Sequence, residues 1–230
     1  MAKLVNGVIM NKIYFLIGIS CLLSLTSCSS FTSMKVDNIK LKPFKESEYL
    51  KIAYDAEVSH DYNKALKYYK MGCDNNDLPS CTNLGNMYFN GRGVIQNHPI
   101  AYKYYEKACF NGEGLSCSNL GYYYENGINV ERDVDLAVSL YQVGCKALDP
   151  LGCLKLGHAY YRRNSFIMAK DAYEKGCNLN NSTSCYQLSY MYKVGLASPI
   201  NNDLSKDYIQ KACNLNSKYC SDTVIKHLIE

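Results

Sequence analysis

Apolar and small residues recur along residues 46–230 with the spacing of a helical face. One set of segments carries Leu, then Gly or Ser, then Tyr at offsets of three, four and seven, as in Leu84, Gly85 and Tyr88. A second set carries a small residue and, four positions later, an aromatic or aliphatic one, as in Ala101 and Tyr105. These offsets place side chains on one face of an α-helix. The pattern predicts an all-α chain in which two kinds of amphipathic helix, a first helix and a second helix, alternate.

The cysteines show that this alternation is periodic. After Cys28, ten cysteines form five pairs, of which four have a spacing of eight and the last a spacing of seven: Cys73/Cys81, Cys109/Cys117, Cys145/Cys153, Cys177/Cys185 and Cys213/Cys220. Successive pairs are 36, 36, 32 and 36 residues apart, a period typical of repeat arrays. Tyr49–Asp61 aligns with Cys153–Ser165, as a first helix without its cysteine.

Stacking of these units follows from their size. A single helix pair cannot bury its own apolar face, so neighbouring pairs have to pack against one another. We therefore predict that residues 46–230 form a right-handed α-solenoid of five helix-pair repeats, with a C-terminal capping helix from about Ser217.

Composition narrows the function classes. Hydrophobic residues make up 47% of the chain and charged residues 20%, which is typical of a globular protein. The formal net charge is +4, which excludes a strongly basic nucleic-acid-binding protein, and we predict no nucleic-acid partner.

The amino terminus predicts export. Residues 1–27 read as a signal peptide of the lipoprotein type, because Lys3 and Lys12 precede thirteen nearly all apolar residues, Ile13–Leu25. This run is shorter than the roughly 20 residues that span a bilayer. Leu25-Thr26-Ser27-Cys28 resembles the bacterial lipobox, so we expect lipidation of Cys28 and a lipidated tether at residues 28–45. An ordinary secretory signal with an incidental cysteine is the alternative, and Met10 is an alternative start.

Twelve cysteines require either bound metal or an oxidising compartment. Each cysteine pair brackets the short turn between one repeat's second helix and the next repeat's first, where facing Cα atoms can approach the ~5.5–6 Å that a disulfide prefers. Zinc sites normally show Cys-x-x-Cys or nearby histidines, and the four histidines here are scattered. We predict a disulfide within each of the five pairs and no metal site.

Two linked motifs indicate a family. Cys-x-x-Leu-Gly-x-x-Tyr-x-x-Gly-x-Gly-Val at residues 81–94, followed by Ala-x-x-Tyr-Tyr-x-x-Ala-Cys at 101–109, resembles the Sel-one-like repeat, a relative of the tetratricopeptide repeat. With its paired cysteines the chain resembles the Helicobacter cysteine-rich protein family over about residues 45–230. The last repeat departs from the pattern, with Ser189 in place of Gly and Ser205 in place of Ala.

The resemblance implies penicillin binding or β-lactam hydrolysis, but the sequence contains no matching catalytic motif. A serine β-lactamase needs Ser-x-x-Lys, and no serine here has Lys three residues on. Lys-Thr-Gly, Gly-x-Ser-x-Gly and His-x-His are also absent. Whether the protein is an enzyme stays open, and we predict neither catalytic residues nor a cofactor.

A ligand-binding groove is predicted on the first helices, opposite the Leu/Gly/Tyr face. Its residues are mostly amides and aromatic rings: Asn83, Asn86, Asn119, Tyr122, Lys155, His158, Arg162, Gln187 and Tyr190. Amides pair with peptide backbone, and tyrosine adds rigid contact area. Lys155 and Arg162 could also hold a carboxylate or phosphate. A merely solvated polar face is the alternative.

These features predict a lipid-anchored, disulfide-linked interaction module of the bacterial cell envelope. It would bind a protein or peptide along the concave face and the membrane through Cys28, with a peptidoglycan-related ligand or a β-lactam as further candidates. The predicted location is the outer membrane as a lipoprotein, or the periplasm or exterior. The alternatives are a β-lactamase and a secreted protein that acts on host partners.

Overall fold

A computed structural model describes residues 36–43 and 45–215. The chain divides into two units, residues 1–38 and 39–230. Of the first unit, residues 36–38 are described, and they begin with a short helical turn. The predicted signal peptide, lipidation at Cys28 and the capping helix from about Ser217 lie outside the described residues and stay predictions.

Regular structure in the described part of the second unit is entirely α-helical. Its ten helices are α1 Glu48–Val58, α2 Tyr62–Asp74, α3 Leu78–Asn90, α4 His98–Phe110, α5 Gly114–Asn126, α6 Val134–Lys146, α7 Pro150–Arg162, α8 Phe166–Asn178, α9 Ser182–Val194 and α10 Asn202–Asn214. Odd-numbered helices are the predicted first helices and even-numbered ones the second helices. The predicted α-solenoid of helix pairs is confirmed.

Short polar residues and glycines set the helix ends. Asp133 accepts a hydrogen bond from the Leu136 N–H before α6, and Asn201 accepts one from the Leu204 N–H before α10. Such side chains satisfy N–H groups that have no partner inside the helix. The three longer loops follow α3, α5 and α9, and each begins with a glycine in the left-handed region: Gly91, Gly127 and Gly195.

Within a repeat, small residues on the first helix admit a buried tyrosine from the second helix. A Cβ atom added to Gly121 would lie 2.9 Å from the ring of Tyr141, and one added to Gly157 would lie 2.4 Å from the ring of Tyr173. Both tyrosines are almost wholly buried. The predicted small position therefore sets how closely the two helices approach.

Disulfides join consecutive repeats across turns of three residues. Four predicted pairs are bonded, Cys73–Cys81, Cys109–Cys117, Cys145–Cys153 and Cys177–Cys185, with Cα–Cα distances of 4.5 to 4.7 Å. Cys213 is also disulfide-bonded, and its predicted partner Cys220 lies outside the described residues. Within the described ranges, no helix is long and apolar enough to cross a membrane.

Candidate ligand-binding cleft

The first helices of three consecutive repeats form a cleft. Its volume is about 310 Å³, and its residues come mainly from α3, α5 and α7. Four of the predicted groove residues line it: Asn86, Asn119, Tyr122 and Lys155. Seven further residues line it: Phe89, Asn90, Tyr105, Ser118, Tyr123, Tyr141 and Leu151. Four of them are buried, Tyr105, Ser118, Tyr123 and Tyr141. Tyr105 and Tyr141 stand at the predicted core position of the second helices, and the sequence gives no sign that the core opens there.

The other predicted groove residues also lie on first helices, but outside this cleft. Asn83 lines a neighbouring cavity of about 320 Å³ beside Tyr54 and Glu113. His158 is half-buried and packs edge-on against Tyr173, with ring centroids 5.6 Å apart. The remaining three also do not line the 310 Å³ cleft: Arg162 on α7, and Gln187 and Tyr190 on α9.

Hydrogen bonds orient two amides in the cleft. The buried Tyr105 donates its hydroxyl hydrogen to Asn86 Oδ1 at 2.7 Å, and Asn119 Nδ2 donates to the same oxygen at 3.4 Å. Asn86 Nδ2 lies 3.5 Å from Asn83 Oδ1. The amide oxygen of Asn86 is thus held toward the protein, and Asn119 uses its nitrogen, so its oxygen is the acceptor it presents to a ligand.

A carboxylate that the sequence did not single out, Glu125, contacts two residues of the cleft wall, Tyr141 and Lys155, without lining the cleft itself. Tyr141 donates to Glu125 Oε2 at 2.8 Å, and Arg162 pairs with Oε1. Lys155 Nζ lies 3.8 Å from Oε2 and 5.3 Å from the centroid of the Tyr122 ring. Because Lys155 and Arg162 share this internal counter-ion, a ligand carboxylate or phosphate would have to compete with Glu125 for them.

The surroundings shift the pKa of three groups. Burial acts to raise the pKa of Glu125, but the hydrogen bonds from Tyr141 and Arg162 and the charge of Lys155 outweigh it and lower the pKa. Burial, followed by Glu125, raises the pKa of Tyr141. Burial lowers the pKa of His158, and the charges of Lys155 and Arg162 lower it further. Near pH 7 Glu125 is therefore ionised and His158 is neutral, and neither of them lines the cleft.

The described residues also lack a cluster of the side chains that bind metal ions. Among residues 36–43 and 45–215, no three or more His, Cys, Asp or Glu side chains are grouped so that they could hold a metal ion.

Stacked helix pairs, disulfides across the turns and a polar, aromatic cleft define an α-solenoid repeat protein, a class suited to protein interaction. The sequence matches the Sel1 repeat at residues 52–77, 78–112, 114–147 and 182–217, and the chain belongs to the Sel1 repeat family. Residues 148–181 lie between two matched segments, yet they contain the α7–α8 pair. In this repeat, successive cysteine pairs are 32 residues apart, whereas the other spacings are 36.

A curated relative agrees with the resemblance to the cysteine-rich proteins. The chain is 37% identical over 86 residues to a Helicobacter pylori protein named "Putative beta-lactamase HcpD". The match covers 37% of this chain and 24% of the relative, so the chain spans about a quarter of that protein's length.

Two solved structures share the fold. A Sel1 repeat protein from Oxalobacter formigenes superposes with a TM-score of 0.65 at 20% identity, over 73% of each chain. A protective antigen of uropathogenic Escherichia coli with an SLR fold gives a TM-score of 0.62 at 24% identity, over 75% of this chain and 42% of that one. At these identities the likeness concerns the fold alone.

Proposed function

We propose that the protein is a lipid-anchored interaction module of the bacterial cell envelope that binds an extended peptide segment of a partner along the concave face of its first helices. The observation that carries this proposal is the cleft that crosses α3, α5 and α7, with two oriented amides and aromatic walls. Its volume of about 310 Å³ is at the lower end of ligand pockets, which fits a few peptide side chains.

Its chemistry matches an extended peptide. A peptide backbone offers alternating N–H donors and C=O acceptors, and an amide side chain can pair with both. Phe89 and Tyr122 have ring centroids 6.0 Å apart in an edge-on arrangement, which provides a rigid apolar wall.

The proposed location rests on three observations. Disulfide bonds form and persist outside the cytoplasm, and the homology to HcpD also supports an extracytoplasmic protein. The lipobox-like Leu25–Cys28 supports lipidation at Cys28. A cleft on the solenoid face and an anchor at the amino terminus would let the protein hold a partner at the membrane.

Selection of peptides against the oxidised protein tests the binding proposal. A displayed library of random peptides is panned on the wild type, and the selected peptide is then titrated against variants. We expect Asn119→Ala to weaken binding about tenfold and to leave the melting temperature unchanged. A tenfold change in Kd corresponds to about 1.4 kcal/mol of binding free energy, which is typical of the loss of one hydrogen bond.

Asn178→Ala is the matched control, because Asn178 is exposed at the end of α8, on a second helix. It should leave the affinity unchanged. Equal affinity of both variants for every selected peptide would show that the cleft is not the binding surface. A large loss of melting temperature in Asn119→Ala would place that side chain in the core and undo the assignment of the face.

The β-lactamase alternative comes from the printed name of HcpD and from the family resemblance. Its test is hydrolysis of a chromogenic β-lactam by the oxidised protein, with the reduced and alkylated protein as control. Turnover that survives repurification and disappears on reduction would replace the binding proposal with an enzyme. No turnover would remove this alternative.

A further inference from the structure

The inter-repeat turns lie along one edge of the solenoid, and none of their residues lines the cleft. We define the turn edge as the three-residue turns at residues 75–77, 111–113 and 147–149. A groove of about 800 Å³ runs along it. One wall consists of residues from these three turns, and Lys42, Pro43, Lys45 and Ser47 contribute the other.

The chain's own amino-terminal residues cross two of these turns. Residues 39–43 and 45–47, here called the amino-terminal segment, have no regular secondary structure. The Lys42 N–H donates to the Gly112 carbonyl oxygen at 2.9 Å, and Ser47 Oγ donates to Asp77 Oδ2 at 2.5 Å. The side chains of Lys40, Leu41 and Lys42 stay exposed, so the contact at the second turn is made by backbone.

A glycine stands where that backbone meets the turn edge. The middle residue of the turn is Asn76, Leu148 or Asn180 in three other repeats, and each has a positive φ. At Gly112, an added Cβ would lie 2.2 Å from the Lys40 carbonyl oxygen and 3.2 Å from the Lys42 nitrogen. A side chain at position 112 is therefore incompatible with the observed path of the segment.

Charges on the two walls are complementary. The segment contributes Lys42 and Lys45, and each of the three turns ends in an acidic residue: Asp77, Glu113 and Asp149. Glu113 and Asp149 also accept hydrogen bonds from the first N–H groups of α5 and α7, which holds their carboxylates at the groove. Opposite charges across a surface favour the correct register and partner.

We propose that the turn edge is a second binding surface that recognises an extended, lysine-containing peptide segment, and that the amino-terminal segment of this chain occupies it in cis. The amino-terminal segment contacts the turns after α2 and α4, so it also connects two consecutive repeats. This proposal uses a different surface from the cleft and does not depend on peptide binding there.

Limited proteolysis of the full chain tests the cis contact. Trypsin cleaves after Lys40 but not at the Lys42-Pro43 bond, so cleavage at Lys40 reports release of the segment. The blocking variant is Gly112→Asn, since asparagine is the residue that two other repeats hold at this turn position. We expect it to raise the cleavage rate at Lys40 about tenfold while the helical circular dichroism signal is kept.

Gly91→Asn is the matched control for the glycine replacement. Gly91 also has a positive φ, 68°, and the nearest atoms to an added Cβ lie 3.4 Å away in Gln96 and not in the segment. It should leave the cleavage rate at Lys40 at the wild-type value. Equal rates in wild type and Gly112→Asn would overturn the proposal, because the segment would then not be held.

Binding in trans tests the surface as a peptide site. The full chain carrying Lys42→Pro lacks the N–H that reaches Gly112, which should release the segment and expose the turn edge. A labelled synthetic peptide with the sequence of residues 39–47, IKLKPFKES, should bind this variant and not Gly112→Asn. Its affinity should fall as salt is raised, since the peptide carries lysines and the turn edge carries carboxylates. Absence of binding to Lys42→Pro, or equal binding to both variants, would contradict a peptide-binding turn edge.

Discussion

Each turn between repeats depends on one residue with a left-handed backbone. Asn76, Leu148 and Asn180 have φ values of 61°, 63° and 63° at the middle of their turns. Asparagine tolerates this conformation, whereas a leucine Cβ crowds the following carbonyl oxygen. Leu148 is also 69% exposed, so few packing contacts offset the strain.

Replacing this leucine should stabilise the protein. We expect Leu148→Asn to raise the free energy of unfolding by about 1 kcal/mol, which corresponds to roughly 2–4 °C in melting temperature for a chain of this size. Thermal unfolding of the oxidised protein, followed by circular dichroism, measures the change. Leu151→Asn is the control, because Leu151 is 44% exposed within α7, without a positive φ, and should show no gain. An equal effect of both substitutions would rule out backbone strain as the cause.

Residue identity explains why some residues in and beside the cleft could be predicted and others could not. Asn86 and Asn119 stand at polar offsets of the first helices, so helical periodicity places them on an outer face. Glu125 lies eight positions after Cys117, where the neighbouring repeats hold Phe89 and Tyr161. Its role depends on Tyr141 and Arg162, which are 16 and 37 residues away in sequence. Spacing within one helix carries no information about such partners.

Between helices, Glu125 connects three elements. It extends from α5, accepts from Tyr141 on α6 and pairs with Lys155 and Arg162 on α7. The pKa of Glu125 is lowered in the folded protein, so its ionised form contributes stability above the ordinary pKa of 4.5. That contribution is lost as the pH falls through the lower folded value.

Lowering the pH should therefore remove the difference in the free energy of unfolding between the wild type and Glu125→Gln. We expect the wild type to be the more stable of the two near pH 7, and the difference to shrink progressively below about pH 4.5. Urea unfolding at a series of pH values measures it. Glu131→Gln removes a carboxylate from an exposed loop position and serves as the control. A difference that grows toward acid pH would mean that the cluster costs stability when it is ionised.

Disulfides act between elements of neighbouring repeats. The pairs Cys109–Cys117 and Cys177–Cys185 close rings of the same size, with a sequence separation of 8, and both have Cα–Cα distances of 4.7 Å. In the chain-entropy description, rings of equal size give equal stabilisation.

Removal of either disulfide should therefore lower the free energy of unfolding by a similar amount. We expect Cys109→Ser/Cys117→Ser and Cys177→Ser/Cys185→Ser each to lower the free energy of unfolding by roughly 2–3 kcal/mol. Denaturant unfolding of the two double variants, beside the oxidised wild type, gives both values. Costs that differ by more than about 1 kcal/mol would show that local packing, and not loop closure, determines the contribution of each bridge.

At the scale of the whole molecule, the repeats have a common core but different outer faces. Every described repeat after the first begins with a disulfide-linked turn, while the residue at one outer position of the first helices changes from Asn86 to Tyr122 to His158. The core pattern keeps the helices stacked, and the variable face gives the cleft its local chemistry. Such a division suits a solenoid, in which each repeat contacts mainly its neighbours.

The helices, the repeat period and the disulfide pairing could all be predicted from the sequence, because each depends on residues close together in the chain. Spacings of three, four and seven mark a helical face, and a cysteine separation of eight across a short turn permits only local pairing. The same local pattern identified the α7–α8 pair, which lies outside the residues that match the family.

The opening of the cleft, the charge cluster of Glu125 and the passage of the amino-terminal segment over Gly112 required the folded structure. Lys42 and Gly112 are 70 residues apart in sequence, and their contact depends on how three repeats stack and where the chain enters the first helix. Periodicity describes which side of a helix a residue occupies, whereas these contacts depend on which helix, turn or segment lies opposite it.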